Sequence, residues 1–208
     1  MSLALGEVND KILFPFPCRF LCMKIFFLVF FSSLLLSASG PASNMISWNA
    51  DHRLIWDDFQ GPADPNRKAG VQSAAQVMIE LNTRTEGNRV YFNVACYFER
   101  DRSWTINHQS SYLLAHEQLH FDIAELYARE MRKRLRELSG VNQRNLESRV
   151  RQIYREVNRE HNAFQDRYDR ETDHSKNREK QAVWEAKVKR MLEETSAYSA
   201  ISFSLTLR

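Results

Sequence analysis

The run His116-Glu117-Gln118-Leu119-His120 sets two imidazoles four positions apart with a carboxylate beside the first. On a helix, residues four apart share a face, so both rings can reach one metal ion while Glu117 reaches a water held there. Imidazole pairs of this kind suit Zn2+. The expected chemistry is metal-assisted amide hydrolysis, in which zinc polarises the carbonyl and lowers the pKa of its water toward about 7. Glu117 then takes the proton as general base and passes it to the leaving amine.

These residues need a helix that turns both rings inward. At about 100° per residue, His116 and His120 share a stripe with Leu113, Ile123, Tyr127 and Met131, so the rings face a core. Buried imidazoles need partners, and one metal satisfies both. The spacing predicts a helix of about 30 residues after Asn107, ending at Leu138 before Ser139-Gly140. A second helix is marked by Leu146, Val150, Ile153, Val157, Phe164 and Tyr168, and a third by Gln181, Trp184, Val188 and Met191. Upstream, Val77, Ile79 and Leu81 alternate with Gln76, Met78 and Glu80, and Phe92, Val94, Cys96 and Phe98 with Tyr91, Asn93, Ala95 and Tyr97, which predicts two strands joined near Gly87-Asn88. Trp48, Trp56 and Phe59 anchor the segment before them. Alternation from Ile201 to Leu207 predicts a final strand that returns to the sheet.

The 208 residues are 43% hydrophobic and 26% charged, which excludes a disordered polymer, a collagen-like repeat and a multi-span membrane protein. Positive and negative residues, 29 against 26, alternate along the chain, so no nucleic-acid partner is expected. The arginine-rich stretch from Arg129 to Arg136, with Glu130 and Glu137 beside it, reads as a solvated helix face. Lys24, the apolar run Ile25 to Leu36 and the small residues Ser37 to Ala42 have the three regions of a secretory signal peptide. The run is too short for a membrane span, which needs roughly 20 apolar residues. The expected organisation is residues 1–22 as an over-extended start before Met23, 23–42 as signal peptide, and 43–208 as one domain. That domain is expected in the periplasm or medium without a stable membrane anchor. It keeps only Cys96, which alternates inward as a small core residue, so no disulfide framework is expected.

The stretch LLAHEQLHFDIAELYARE, with FERDRSW before it and FQDRYDRETDHS plus QAVW after it, resembles a bacterial family of unknown function catalogued as predicted secreted zinc-dependent proteases. The resemblance runs roughly from Trp48 to Met191. It rests on a W-x-D-F segment (Trp56, Asp58, Phe59), the HEQ-x-HFD-I-A-E helix, and YD-x-ET-x-HS (Tyr168, Asp169, Glu171, Thr172, His174, Ser175).

A catalytic zinc needs a third protein ligand and an open position. Asp122 and Glu125 lie far around the helix from the histidines. If the long helices form an antiparallel hairpin about Gly140, the level of the zinc falls near residue 164, close to His161 and Asp169. The resemblance instead favours the YDRETDHS segment. The resulting order is His174, then Asp169, then His161, giving a ligand set of His116, His120 and His174. Asp169 is alternatively an acceptor for the outer N–H of a ligand histidine, and Tyr168 a packing residue. The expected fold is α+β and zincin-like, a small N-terminal sheet packed on the long HExxH helix with two helices following. An edge strand before such a helix can pair with the backbone of a peptide or protein substrate. The expected activity is a secreted metallopeptidase. Its alternatives are a zinc amidase acting on cell-wall peptide, and a secreted scaffold with a structural zinc.

Overall fold

The computed structural model describes residues 44–67 and 69–207. The expected signal peptide and upstream start lie outside these residues. The fold is mixed α/β, with a small antiparallel sheet followed by three helices. Strands β3 (Val77–Glu86) and β4 (Arg89–Glu99) form the predicted hairpin, in register from Val77 opposite Phe98 to Glu86 opposite Arg89. Its two-residue turn requires a left-handed residue, which Gly87 supplies at φ +59°. The far edge of β4 is shared end to end by two short strands. β1 (Met45–Ser47) pairs with residues 97–99, and β6 (Ser202–Thr206) with residues 89–93. The alternating sequence of β4 buries Val90, Phe92, Val94, Cys96 and Phe98 on one face. Helix α1 (Ser111–Arg136) crosses that face, with the Phe98 and Phe121 rings 5.9 Å apart. Each such fully buried apolar side chain contributes about 1.5–3 kcal/mol. A separate two-stranded ladder joins β2 (Ser73–Ala74) to β5 (Trp104–Thr105).

The gap between β1 and β6 is filled by side-chain and loop donors rather than by strand. Trp48 N–H donates to Cys96 O at 2.9 Å, and Arg132 Nε donates to Val94 O at 2.9 Å. The rest of the Arg132 guanidinium donates to Glu125 at 2.9 and 3.2 Å and to Tyr198 O at 3.1 Å. Arg129 donates to the same carboxylate at 2.8 Å. Arg132 is wholly buried and Arg129 nearly so, which corrects the expectation of a solvated face for this stretch. Charge alternation hid the fact that Arg129 and Arg132 lie four and seven positions after Glu125, on one side of the helix, where the two guanidiniums share its carboxylate.

Helix α1 starts where Ser110 Oγ accepts Leu113 N–H at 3.1 Å and ends with Lys133, Arg134 and Arg136 near its carboxyl terminus, where positive charge is favoured. The chain turns at Gly140, whose φ is +65°. Helices α2 (Leu146–Thr172) and α3 (Arg178–Glu194) then pack against α1. Leu119, Ile123, Tyr168, Trp184 and Val188 form a second apolar cluster among the three helices, away from the sheet. Among the described residues no helix is long and apolar enough to cross a membrane.

Replacing one member of a buried ion cluster leaves its partner's charge uncompensated. Glu125→Leu, which strips the buried Arg129 and Arg132 guanidiniums of their shared carboxylate, is therefore expected to cost about 3–5 kcal/mol in chemical denaturation. Arg151→Leu, which breaks the exposed Arg151–Glu147 pair, should cost less than about 1 kcal/mol.

Candidate metal centre

Helices α1 and α2 run as the predicted hairpin, and the level of His116 and His120 meets Gln165, Tyr168 and Asp169. Three atoms converge there. His116 Nε2 lies 3.3 Å from His120 Nε2, and Asp169 Oδ1 lies 3.3 Å and 3.1 Å from these two nitrogens. Among the described residues this is the one cluster of three or more histidine, cysteine or carboxylate groups suited to a metal ion.

The outer nitrogens of the imidazoles define which atoms carry protons. His120 Nδ1 is 2.7 Å from Gln165 Oε1. His116 Nδ1 is 3.1 Å from Gln181 Oε1 and 2.7 Å from the Tyr168 hydroxyl, which itself donates to Gln181 Oε1 at 2.7 Å. An amide oxygen only accepts, so each Nδ1 carries a hydrogen. In the neutral rings both Nε2 lone pairs then point at the carboxylate oxygen. Asp169 Oδ1 is buried and has no hydrogen-bond donor.

Such a cluster requires positive charge at its centre. Protons on both Nε2 atoms would set two imidazolium charges 3.3 Å apart, a repulsive pair. A single proton on His120, as its raised pKa indicates, pairs only one of the two nitrogens with Asp169, whereas one divalent cation satisfies all three donors. Edges of 3.1–3.3 Å match a tetrahedral face whose corners lie about 2.0–2.1 Å from a central ion. His116, His120 and Asp169 thus fit a metal.

Glu117 lines the same cavity, which has a volume of about 510 Å³. It is held from β2 and the residue after it, since its oxygens accept the Ser73 hydroxyl at 2.5 Å and Ala75 N–H at 2.8 Å. These two bonds use half of the roughly four lone-pair sites of a carboxylate, and the rest are free for a water proton.

The cluster takes its third corner from Asp169 and leaves out His174, placed first by the sequence. Helix α2 continues through Thr172, so Asp169 stays on the face toward α1. Beyond it, Asp173, His174 and Ser175 adopt φ values of 49°, 48° and 72° and carry the chain away. His174 is half exposed on the cavity wall, its Nδ1 3.7 Å from Asp169 Oδ2. His161 also lies outside the cluster. It is buried beside Tyr127 and its Nε2 is 3.0 Å from the Gln165 amide nitrogen. The other residues of the YDRETDHS segment have structural contacts: Glu171 accepts Trp184 Nε1–H at 2.9 Å, and buried Thr172 donates to Tyr168 O at 2.8 Å. Cys96 is buried in the sheet core as expected, and burial pushes its thiol pKa up. Sequence reasoning missed Ser73, Gln165 and Gln181. Only Gln181 left a signal, as a polar residue in a stripe with Trp184 and Val188.

Burial works against charge on His120, yet the Asp169 carboxylate beside it outweighs burial and raises the pKa to about 9. Burial likewise opposes the Asp169 carboxylate, and the contacts with His116 and His120 reverse this and hold it well below the carboxylate range. His161 has no acidic partner, so burial and the nearby His120 lower its pKa from 6.5 to about 4. A histidine kept neutral in the fold protonates first in the unfolded chain, so its contribution is complete above pH 6.5 and is lost as pH falls toward 4. The expected loss is about 3 kcal/mol across that window. Denaturant titrations should find this part of the pH dependence absent in His161→Gln.

No curated protein and no solved structure is matched by the chain. A family model described as "Bacterial protein of unknown function (DUF922)" matches residues 61–175, from the loop before β2 through the whole of α1 and α2 to the turn that carries His174. The chain belongs to this bacterial family of unknown function, DUF922.

Proposed function

We propose that the protein is a secreted or periplasmic, zincin-like zinc metallopeptidase, with His116, His120 and Asp169 as ligands and Glu117 as general base. The observation that carries this reading is the convergence of two imidazole nitrogens and an orphaned carboxylate oxygen on one wall of a cavity that also holds Glu117. Two nitrogens and one oxygen in a tetrahedral-sized face suit Zn2+ better than the oxygen-seeking Ca2+ or Mg2+. Bound there, zinc would polarise a substrate carbonyl and acidify a water.

The remaining work falls to the chain's own residues. Asp169 and the paired imidazoles present three ligands. The cavity on the remaining side leaves room for a substrate carbonyl, which favours a catalytic over a closed structural site. Glu117 accepts the proton of the attacking water as the new C–O bond forms, then delivers it to the amide nitrogen as the C–N bond breaks. Ser73 and Ala75 keep its carboxylate in place. Residues 70–75 form one wall of the cavity beside Glu117, a position from which backbone groups can align an extended peptide. The apolar run at residues 25–36, followed by small residues, supports export.

Glu117→Gln should retain about one zinc per chain and lose at least about 100-fold in hydrolysis of a peptide library. Unchanged turnover in that variant would remove Glu117 from the mechanism. Asp169→Ala should lose zinc in chelator competition, whereas His174→Ala should bind it within a few-fold of wild type. The reverse ranking would make His174 the third ligand.

A further inference from the structure

We infer that Gln165 and Gln181 are the positioning residues of the metal centre, two neutral amides that fix the tautomer and aim of His120 and His116. This rests on the metal reading above. Each amide is oriented by a partner on its nitrogen side. Gln165 Nε2 donates to the His120 backbone carbonyl at 2.9 Å and to His161 Nε2 at 3.0 Å, so its oxygen must face His120 Nδ1. Gln181 Nε2 donates to Glu185 Oε1 at 2.9 Å, so its oxygen must face His116 Nδ1 and the Tyr168 hydroxyl. A flip of either amide would set its oxygen against an acceptor oxygen, the His120 carbonyl or the Glu185 carboxylate. Each imidazole is therefore set with a hydrogen on Nδ1 and with Nε2 as the nitrogen that faces Asp169.

The chemistry of the acceptor matters as much as its place. A carboxylate in the outer position would add negative charge to a site that already holds Asp169 and Glu117. The amide supplies the acceptor without the charge, which preserves the electrophilic character of a bound cation. Gln181 is 1% exposed, and it comes from α3, beyond the residues that the family model matches. His161 gains a role by the same argument: as an acceptor held neutral by burial, it turns the Gln165 amide the right way round.

The test compares zinc affinity, by chelator competition, in the full chain carrying Gln165→Met or Gln181→Met. Methionine keeps the side-chain length and removes the acceptor. Each variant should bind zinc about 10–100-fold more weakly. In the zinc-loaded wild type, NMR should show two exchange-protected imidazole Nδ1–H signals, and each variant should lose one of them. Loss of packing alone would lower thermal stability without removing a single Nδ1–H signal. Gln165 is only partly buried, so Gln165→Met keeps the inference falsifiable if Gln181→Met fails to fold. Wild-type protein that binds zinc, with unchanged affinity and both signals in the variants, overturns this inference alone. Wild-type protein that binds no zinc overturns the metal reading and this inference together.

Discussion

Three electron-pair donors held within 3.3 Å of one another repel each other unless positive charge sits among them. No chain collapses onto such a contact for its own sake, so the surrounding structure must force it. The force comes from the α1–α2 hairpin, which brings His120 level with Asp169, and from the cluster of Leu119, Ile123, Tyr168, Trp184 and Val188 that seals the three helices together. Apolar burial thus carries the cost of an unfavourable polar arrangement, a conflict between local stability and chemistry that is expected at functional sites.

The two apolar clusters divide the work. The sheet-side cluster fixes α1 in space through Phe121, Ala124, Ala128 and Met131, and the helix-side cluster fixes what α1 presents. Glu117 joins them, because its carboxylate is held by Ser73 and Ala75 while its helix neighbours His116 and His120 face α2. A displacement of β2 would move the base and leave the ligand imidazoles where they are.

Much of this was legible because it follows from periodicity. The stripe through Leu113, His116, His120 and Ile123 defined the inward face of α1, the alternation around Phe92 to Phe98 defined β4, and Gly87 and Gly140 marked both reversals. The choice between Asp169 and His174 was not legible. The hairpin level pointed to His161 and Asp169 and the resemblance to the YDRETDHS segment, and which residue of that segment faces α1 depends on whether the α2 helix ends before or after Asp169. β2 was invisible because two residues have no period. Gln165 and Gln181 looked like ordinary polar helix residues, since what distinguishes them is a partner 45 or 65 positions away. Arg132 read as solvent-facing for the opposite reason: its neutralising partner lies on its own helix, but the backbone carbonyls it satisfies do not.

β6 pairs with β4 across 109 to 117 residues, from Asn93 opposite Ser202 to Arg89 opposite Thr206, about twice the 50 to 54 that separate the partners of β1 and β4. Joining such distant segments is cheap in equilibrium terms, because each doubling of the closed loop costs only about 0.6 kcal/mol. The burden falls on kinetics, since non-local pairings slow the search for the native topology. The pairs that build the candidate metal centre, His116 and His120 with Asp169, span only about 50 residues of one helical hairpin. Topology therefore lets the imidazoles and carboxylate meet without waiting for β6 to close the sheet edge, and makes the β6–β4 ladder, at about twice that separation, the slower contact to form.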